Sequence, residues 1–162
     1  MNRTLTQLLN SGKRIIVVFD QDGVLTESRW NDVPDSRNII DDYDTTGDHY
    51  VTLPVIPMVI DFVDEVSRMG HALGVLTASN PTEAKGKTEA VYAREEFKYF
   101  RQGNYWWIDE TDTLGNKSAF LNELSEKYDI VVYIDDNQSI LHKMQDTTCD
   151  KVYLFHLTSL LY

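Results

Sequence analysis

Four aspartates in two short stretches are the residues of this sequence best suited to chemistry. Asp20 and Asp22 follow the apolar run RIIVVF, and Asp135 and Asp136 follow the apolar run IVVYI. Like charges placed together raise each other's pKa and cost stability unless a cation or a reaction uses them. The two acidic pairs therefore indicate a site that holds a cation or carries out a reaction.

A threonine and a lysine occupy similar positions, at the end of another apolar stretch and at the start of a helical pattern. Thr77 ends the apolar stretch HALGVLT, and Lys117 opens the helical pattern KSAFLNELSEKY. Ala78 and Asn80, in the turn after Thr77, are further candidates for contact with a substrate. Asn80 has an ordinary alternative, because Asn-Pro is a common turn signal.

Apolar strands alternate with helical patterns along most of the chain. The sequence predicts strands at 14–19, 71–77, 105–108, 130–134 and 151–157, and helices at 57–70, 82–100, 117–128 and 139–145. Strands separated by helices form a parallel sheet that is covered on both faces. Ligands bind at the carboxyl ends of such strands, so we expect the aspartates, Thr77 and Lys117 to converge at one edge of the sheet.

Composition limits the class of protein. The chain has 162 residues and 42% hydrophobic content, which predicts one domain over 1–162 with a proper core. Its formal net charge of -11 disfavours nonspecific binding to nucleic acid. The longest purely apolar run, Ile15 to Phe19, is far shorter than the roughly 20 residues of a membrane helix. We expect a cytoplasmic protein that does not contact a membrane. The single cysteine, Cys149, excludes an internal disulfide.

Oxygen donors gathered from two loops suit Mg2+, which prefers carboxylates and water to nitrogen or sulfur. With a cation and a lysine present, phosphate is the natural anionic substrate, because both can neutralise its oxygens. A carboxylate can then attack phosphorus and form an aspartyl phosphate, which water hydrolyses. Asp22 can protonate the leaving alkoxide and later deprotonate that water. Gly23 lets the chain turn sharply beside these side chains.

The stretches DQDGVLT, GVLTAS, the lone Lys117 and YIDDN, in this order, resemble the four motifs of the haloacid dehalogenase superfamily of phosphohydrolases. The resemblance runs from about Arg14 to Phe155, with one mild departure at Gln21, where an apolar or small residue is commoner. It implies an α/β fold, a Rossmann-like three-layer sandwich around a central parallel sheet, with a minimal cap.

The resemblance also implies a role for each matched residue. Asp20 would be the nucleophile and Asp22 the general acid and base. Thr77 would hydrogen-bond the phosphoryl group, and Lys117 would stabilise the nucleophile and the phosphate. The implied cofactor is Mg2+, held by Asp20, the main-chain carbonyl of Asp22, Asp135 and, directly or through water, Asp136.

The segment 27–53 holds six aspartates and little periodicity, which predicts a flap or loop rather than a helical cap. An open site of this kind accepts a nucleotide or another small phosphate, with a second subunit of a homo-oligomer able to cover it. It also accepts a macromolecular end or a phosphoprotein.

A looser resemblance, from LPVIPMVIDFVDEV through YIDDNQSILHKM, is to the phosphatase domains of bacteriophage polynucleotide kinase/phosphatases. It implies a nucleic-acid 3'-phosphatase as the alternative, although TASN stands where those relatives carry an arginine.

Other readings stay open. Either acidic pair alone can be a solvated turn or a helix cap. Phosphoaspartate signalling domains also surround Mg2+ with acids, a threonine and a lysine, and the same fold can serve as a binding module without catalysis. Trp106 and Trp107 can stack on a base or belong to the core.

Overall fold

The alternating apolar runs of the sequence form a five-stranded parallel sheet. The computed structural model describes residues 1–28, 47–101 and 104–161, with the backbone alone for 47–49. In these ranges the strand order is β3-β2-β1-β4-β5, and every neighbouring pair is parallel. The strands are β1 (Ile15–Phe19), β2 (Ala72–Ser79), β3 (Tyr105–Asp109), β4 (Ile130–Asp135) and β5 (Val152–His156).

Helices cover both faces of this sheet. The α-helices are α1 (Arg3–Leu9), α2 (Gly47–Thr52), α3 (Pro57–Arg68), α4 (Pro81–Ala93), α5 (Thr113–Leu124) and α6 (Gln138–Met144). Short 3-10 helices lie at Glu95–Phe100, Glu110–Asp112 and Leu157–Leu160. Apolar side chains of α1, α3 and α4 share one buried cluster with β1, while those of α5 and α6 share another on the opposite face. The predicted three-layer α/β sandwich is confirmed.

Two helices have boundaries that differ clearly from the prediction. Helix α5 begins at Thr113, four residues before Lys117, because the Asp112 side chain caps it by accepting from the amide of Gly115 (3.1 Å). The helix predicted over 82–100 stops at Ala93, because Arg94 is extended, and it continues only as a 3-10 helix.

Helix α1 was not predicted. It buries Leu5 and Leu9 and is capped by Asn2, so its two apolar anchors lie one helical turn apart.

The predicted flap at 27–53 falls largely on 29–46, outside the described residues. Its last part is ordered as the six-residue helix α2, which packs against α4. Of the helices in the described ranges, none has the length and apolar character needed to cross a bilayer.

Candidate active site

The first acidic pair lies where β1 leaves the sheet. All five residues of β1 are buried, and the amide of Asp20 still donates to the carbonyl of Ile134 on β4 (2.9 Å). The chain then turns at Gly23, whose φ of +79° is one that other residues rarely adopt. A side chain there would also overlap the carboxylate of Asp136. The positive φ therefore favours glycine here, and a larger residue would also displace the carboxylate of Asp136.

Three carboxylates meet at this edge of the sheet. Strands β1 and β4 are neighbours in register, with Phe19 opposite Ile134, so the residues that follow them lie side by side. One oxygen each from Asp20, Asp135 and Asp136 lies within 4.8 Å of the others. Among the described residues, this group has the donor chemistry that a hard divalent cation prefers.

The electrostatics of the cluster favour a positive charge. Burial raises the pKa of Asp20 to about 7, and Asp135 adds to the increase while Lys117 opposes it. Burial and the neighbouring Asp135 raise the pKa of Asp136 to about 6. Two of the three carboxyl groups thus hold their protons more tightly than usual in the protein alone. A bound cation would favour their ionised forms.

Lys117 supplies part of the positive charge. Its ammonium lies 3.3 Å from Oδ1 of Asp20 and 3.1 Å from Oδ2 of Asp135. Burial lowers the pKa of Lys117, but the two carboxylates outweigh it and raise the pKa above its ordinary value. For Asp135, burial raises the pKa, but Lys117 and the hydrogen bonds from Asn137 and Tyr133 hold it below its ordinary value. Lys117 and Asp135 therefore form a buried ion pair.

Tyr133 completes this pair from within β4. Its hydroxyl accepts from the Lys117 ammonium (2.5 Å) and donates to Oδ2 of Asp135 (2.7 Å). The ring is fully buried. One phenol thus fixes the relative positions of the lysine and of a candidate metal ligand.

A second lysine, Lys87 of α4, lies on the other side of the site. Its ammonium donates to Oδ2 of Asp22 (2.6 Å), Oγ1 of Thr77 (3.1 Å) and the carbonyl of Ala78 (3.3 Å). The side chain of Lys87 is 2% exposed, whereas that of Asp22 is 32% exposed. The carboxylate of Asp22 is therefore partly exposed, while the lysine that holds it is buried. Asp22 is not one of the three carboxylates that lie together.

Seven of the eight predicted site residues share one cavity of about 300 Å3. It is lined by Asp20, Asp22, Thr77, Ala78, Thr113, Lys117, Asp135, Asp136, Asn137 and Ile140. The eighth, Asn80, does not line this cavity; it caps α4 by accepting from the amide of Glu83 (2.9 Å). Lys117 stands in the second turn of α5 rather than at its start.

Lys87 and Tyr133 were not predicted as site residues, although the sequence pattern around each of them indicates a buried polar side chain. Lys87 lies three residues after Ala84 and four before Val91, so it occupies the buried stripe of α4. A lysine on an apolar stripe is rarely buried without a charged partner. Tyr133 precedes Asp135 by two residues in a strand, which puts both side chains on one face.

The two tryptophans of β3 have different environments. The ring of Trp106 is half-buried; it packs on Phe120, with centroids 5.0 Å apart, against the core. Trp107 is 42% exposed and lines a groove of about 700 Å3 with Tyr92 and other α4 residues. This groove shares no lining residue with the acidic cavity.

Comparison with known proteins bears on the fold. The sequence matches no protein-family model and no curated protein. Its structure is similar to that of a protein from Burkholderia xenovorans described as a haloacid dehalogenase-like hydrolase, with a TM-score of 0.56 and 12% identity over 87% of this chain and 80% of that one. The chain therefore has the haloacid dehalogenase-like fold, as its motifs predict.

Proposed function

We propose that this chain is a Mg2+-dependent phosphatase that hydrolyses phosphate monoesters, on a nucleotide or another small phosphate, through an aspartyl phosphate on Asp20. The observation that carries the proposal is the single cavity lined by Asp20, Asp22, Thr77, Lys117, Asp135 and Asp136. The haloacid dehalogenase-like fold supports it, because its structural neighbour is described as a hydrolase.

The cation would be held by Asp20, Asp135 and Asp136, whose oxygens already lie together. When bound, Mg2+ neutralises charge on the phosphoryl oxygens and favours the ionised form of the nucleophile. The buried Asp135 keeps one oxygen bonded to Lys117 and Tyr133 and the other to the amide of Asn137 (2.9 Å). Such bonds fix the orientation of a ligand before the metal arrives.

The proposed reaction gives each of these side chains a step. A carboxylate oxygen of Asp20 attacks phosphorus as the bond to the leaving oxygen breaks, and Asp22 gives its proton to that oxygen. Asp22 next takes a proton from water, which attacks the aspartyl phosphate and releases inorganic phosphate and free Asp20. Lys117 is close enough to Asp20 to stabilise the negative charge in both steps.

The size of the cavity and the net charge of the chain favour a small substrate. The acidic cavity is small, and the formal charge of -11 opposes the approach of a polyanion. A nucleic-acid 3' end remains the alternative substrate, and the screen below distinguishes the two.

The test is phosphate release with Mg2+ and with EDTA, for the wild type and the Asp20→Asn variant. Substrates are mononucleotides, sugar phosphates and oligonucleotides phosphorylated at the 3' or the 5' end. The matched control is Asp61→Asn, an exposed position on α3. We expect release that needs both Mg2+ and Asp20 and that the control retains.

The outcomes separate the candidate functions. Full release by Asp20→Asn would overturn the mechanism. A stable phosphoaspartate without turnover would favour a signalling domain, and inertness towards every substrate would favour a binding module. A preference for 3'-phosphorylated oligonucleotides would replace the small substrate with a nucleic-acid end.

A further inference from the structure

Lys87 carries a buried positive charge beside the site, and the proposed reaction gives it no role. An ammonium has three N–H donors, and those of Lys87 match three acceptors, on Asp22, Thr77 and Ala78. Two of the acceptors belong to β2, so the sheet fixes the ammonium in place. Its donors are fully used within the protein, which leaves it no free N–H for a substrate.

The shortest of the three contacts is to Asp22, at 2.6 Å. It is a charge-assisted hydrogen bond and therefore among the stronger side-chain contacts that a carboxylate makes. It engages Oδ2, so Oδ1 is not committed to Lys87. A carboxyl group on a turn is otherwise free to change its rotamer, and a general acid must be held where it can reach the leaving oxygen.

The surroundings of Lys87 shield its ammonium from water, although Asp22 itself is partly exposed. The Tyr50 ring of α2 lies with its centroid 5.9 Å from the Lys87 ammonium, and Tyr50 is itself buried. A charge buried to this degree is costly unless it is paired. The contact with Asp22 therefore has a fixed geometry.

We propose that Lys87 is a positioning residue for the general acid: it holds Oδ2 of Asp22, so that a proton carried on Oδ1 is delivered to the leaving oxygen. The proposal rests on the proposed function, because it assigns Lys87 a part in the same hydrolysis. Lys87 acts through Asp22 and does not touch the substrate.

The test uses the dependence of the reaction on its leaving group. An alkyl phosphate needs a proton on its leaving oxygen, whereas p-nitrophenyl phosphate releases a stable phenolate and needs little help. The ratio kcat/KM reports the steps up to leaving-group departure. For Lys87→Met with Mg2+, we expect kcat/KM on an alkyl phosphate to fall about 10- to 100-fold, and kcat/KM on the aryl phosphate to fall far less.

Two further variants sharpen the experiment. Lys85→Met removes the same charge from an exposed position two residues away on α4 and is expected to leave both values unchanged. In an Asp22→Asn background, Lys87→Met is expected to add little, because the residue through which it acts is gone. Thermal unfolding of each variant reports its folding. Should Lys87→Met not fold, Lys87→Leu, which also lacks an N–H donor, carries the same comparison.

The results distinguish this proposal from the proposed function. Equal falls on both substrates, no fall on either, or a full further loss in the Asp22→Asn background would overturn the role of Lys87. If Asp20→Asn keeps full release, the proposed function itself fails, whatever the Lys87 variants do.

Discussion

Without divalent cations, raising the pH from about 4.5 to about 7.5 is expected to destabilise the folded chain through Asp20. The side chain of Asp20 is 13% exposed, and burial raises its pKa from 3.8 to about 7. The folded state therefore binds this proton more tightly than the unfolded chain does. That advantage is complete below pH 3.8 and is lost as the pH rises towards 7.

The magnitude follows from the two pKa values. A difference of about 3 in pKa, at about 1.4 kcal/mol each, amounts to about 4 kcal/mol over the whole range. Between pH 4.5 and 7.5 the loss is about 3 kcal/mol, which for a domain of this length is roughly 6 to 12 °C in Tm. The raised pKa of Asp136 acts in the same direction. Asp135, whose pKa is lowered, loses its contribution only below about pH 3.8.

The assay is thermal unfolding in EDTA across this pH range, for wild type, Asp20→Asn and the exposed control Asp61→Asn. Asp20→Asn should lose most of the decline with pH, and Asp61→Asn should keep it. Added Mg2+ should raise the wild-type Tm more at pH 7.5 than at pH 4.5, because protons compete with the metal for the same oxygens. An equal decline in wild type and Asp20→Asn would refute the placement of Asp20 in a buried acidic cluster.

Three further substitutions test the rest of the site. Lys117→Met should cost about 3 to 5 kcal/mol in urea unfolding, because it leaves Asp135 buried without its cation; an unchanged midpoint would contradict the buried ion pair. Gly23→Ala should lose at least about 1 kcal/mol of stability, because the backbone has positive φ at this position. It should also weaken Mg2+ binding in calorimetry, because the added side chain overlaps the carboxylate of Asp136. An unchanged Mg2+ affinity would count against that overlap. Tyr133→Phe removes the hydroxyl that bonds both Lys117 and Asp135. It should lower the free energy of unfolding by about 1 to 3 kcal/mol and weaken Mg2+ binding. A variant with wild-type stability and wild-type Mg2+ affinity would show that the phenol does not orient these groups.

Much of the site was predictable because it depends on strand ends. Asp20 and Asp135 each follow a run of buried apolar residues, and parallel strands put such positions at the same edge. The order of strands and helices was enough to predict that Thr77 and Lys117 lie near these aspartates. The start of α5 was misplaced, because the Asp112 cap lies within a polar stretch without apolar periodicity.

The partners of Lys87 could not be predicted from sequence motifs. Its contacts with Asp22 and Thr77 join residues 65 and 10 positions away, and no local pattern specifies such a distance. The apolar stripe of α4 indicates that position 87 is buried, but it does not identify the group that the lysine meets. That partner depends on how α4 packs on β2 and on the turn at Gly23.

Hydrophobic periodicity and the order of elements can be read along the chain, so they were enough to predict the parallel α/β sheet and the edge at which its polar residues meet. Which charges pair depends instead on how the elements pack. This packing joins Lys117 to Asp20 and Asp135 through Tyr133, and Lys87 to Asp22. A buried charge is costly unless an opposite charge or a hydrogen-bonding group lies beside it. Residues far apart in the chain come that close only when their helices and strands pack together.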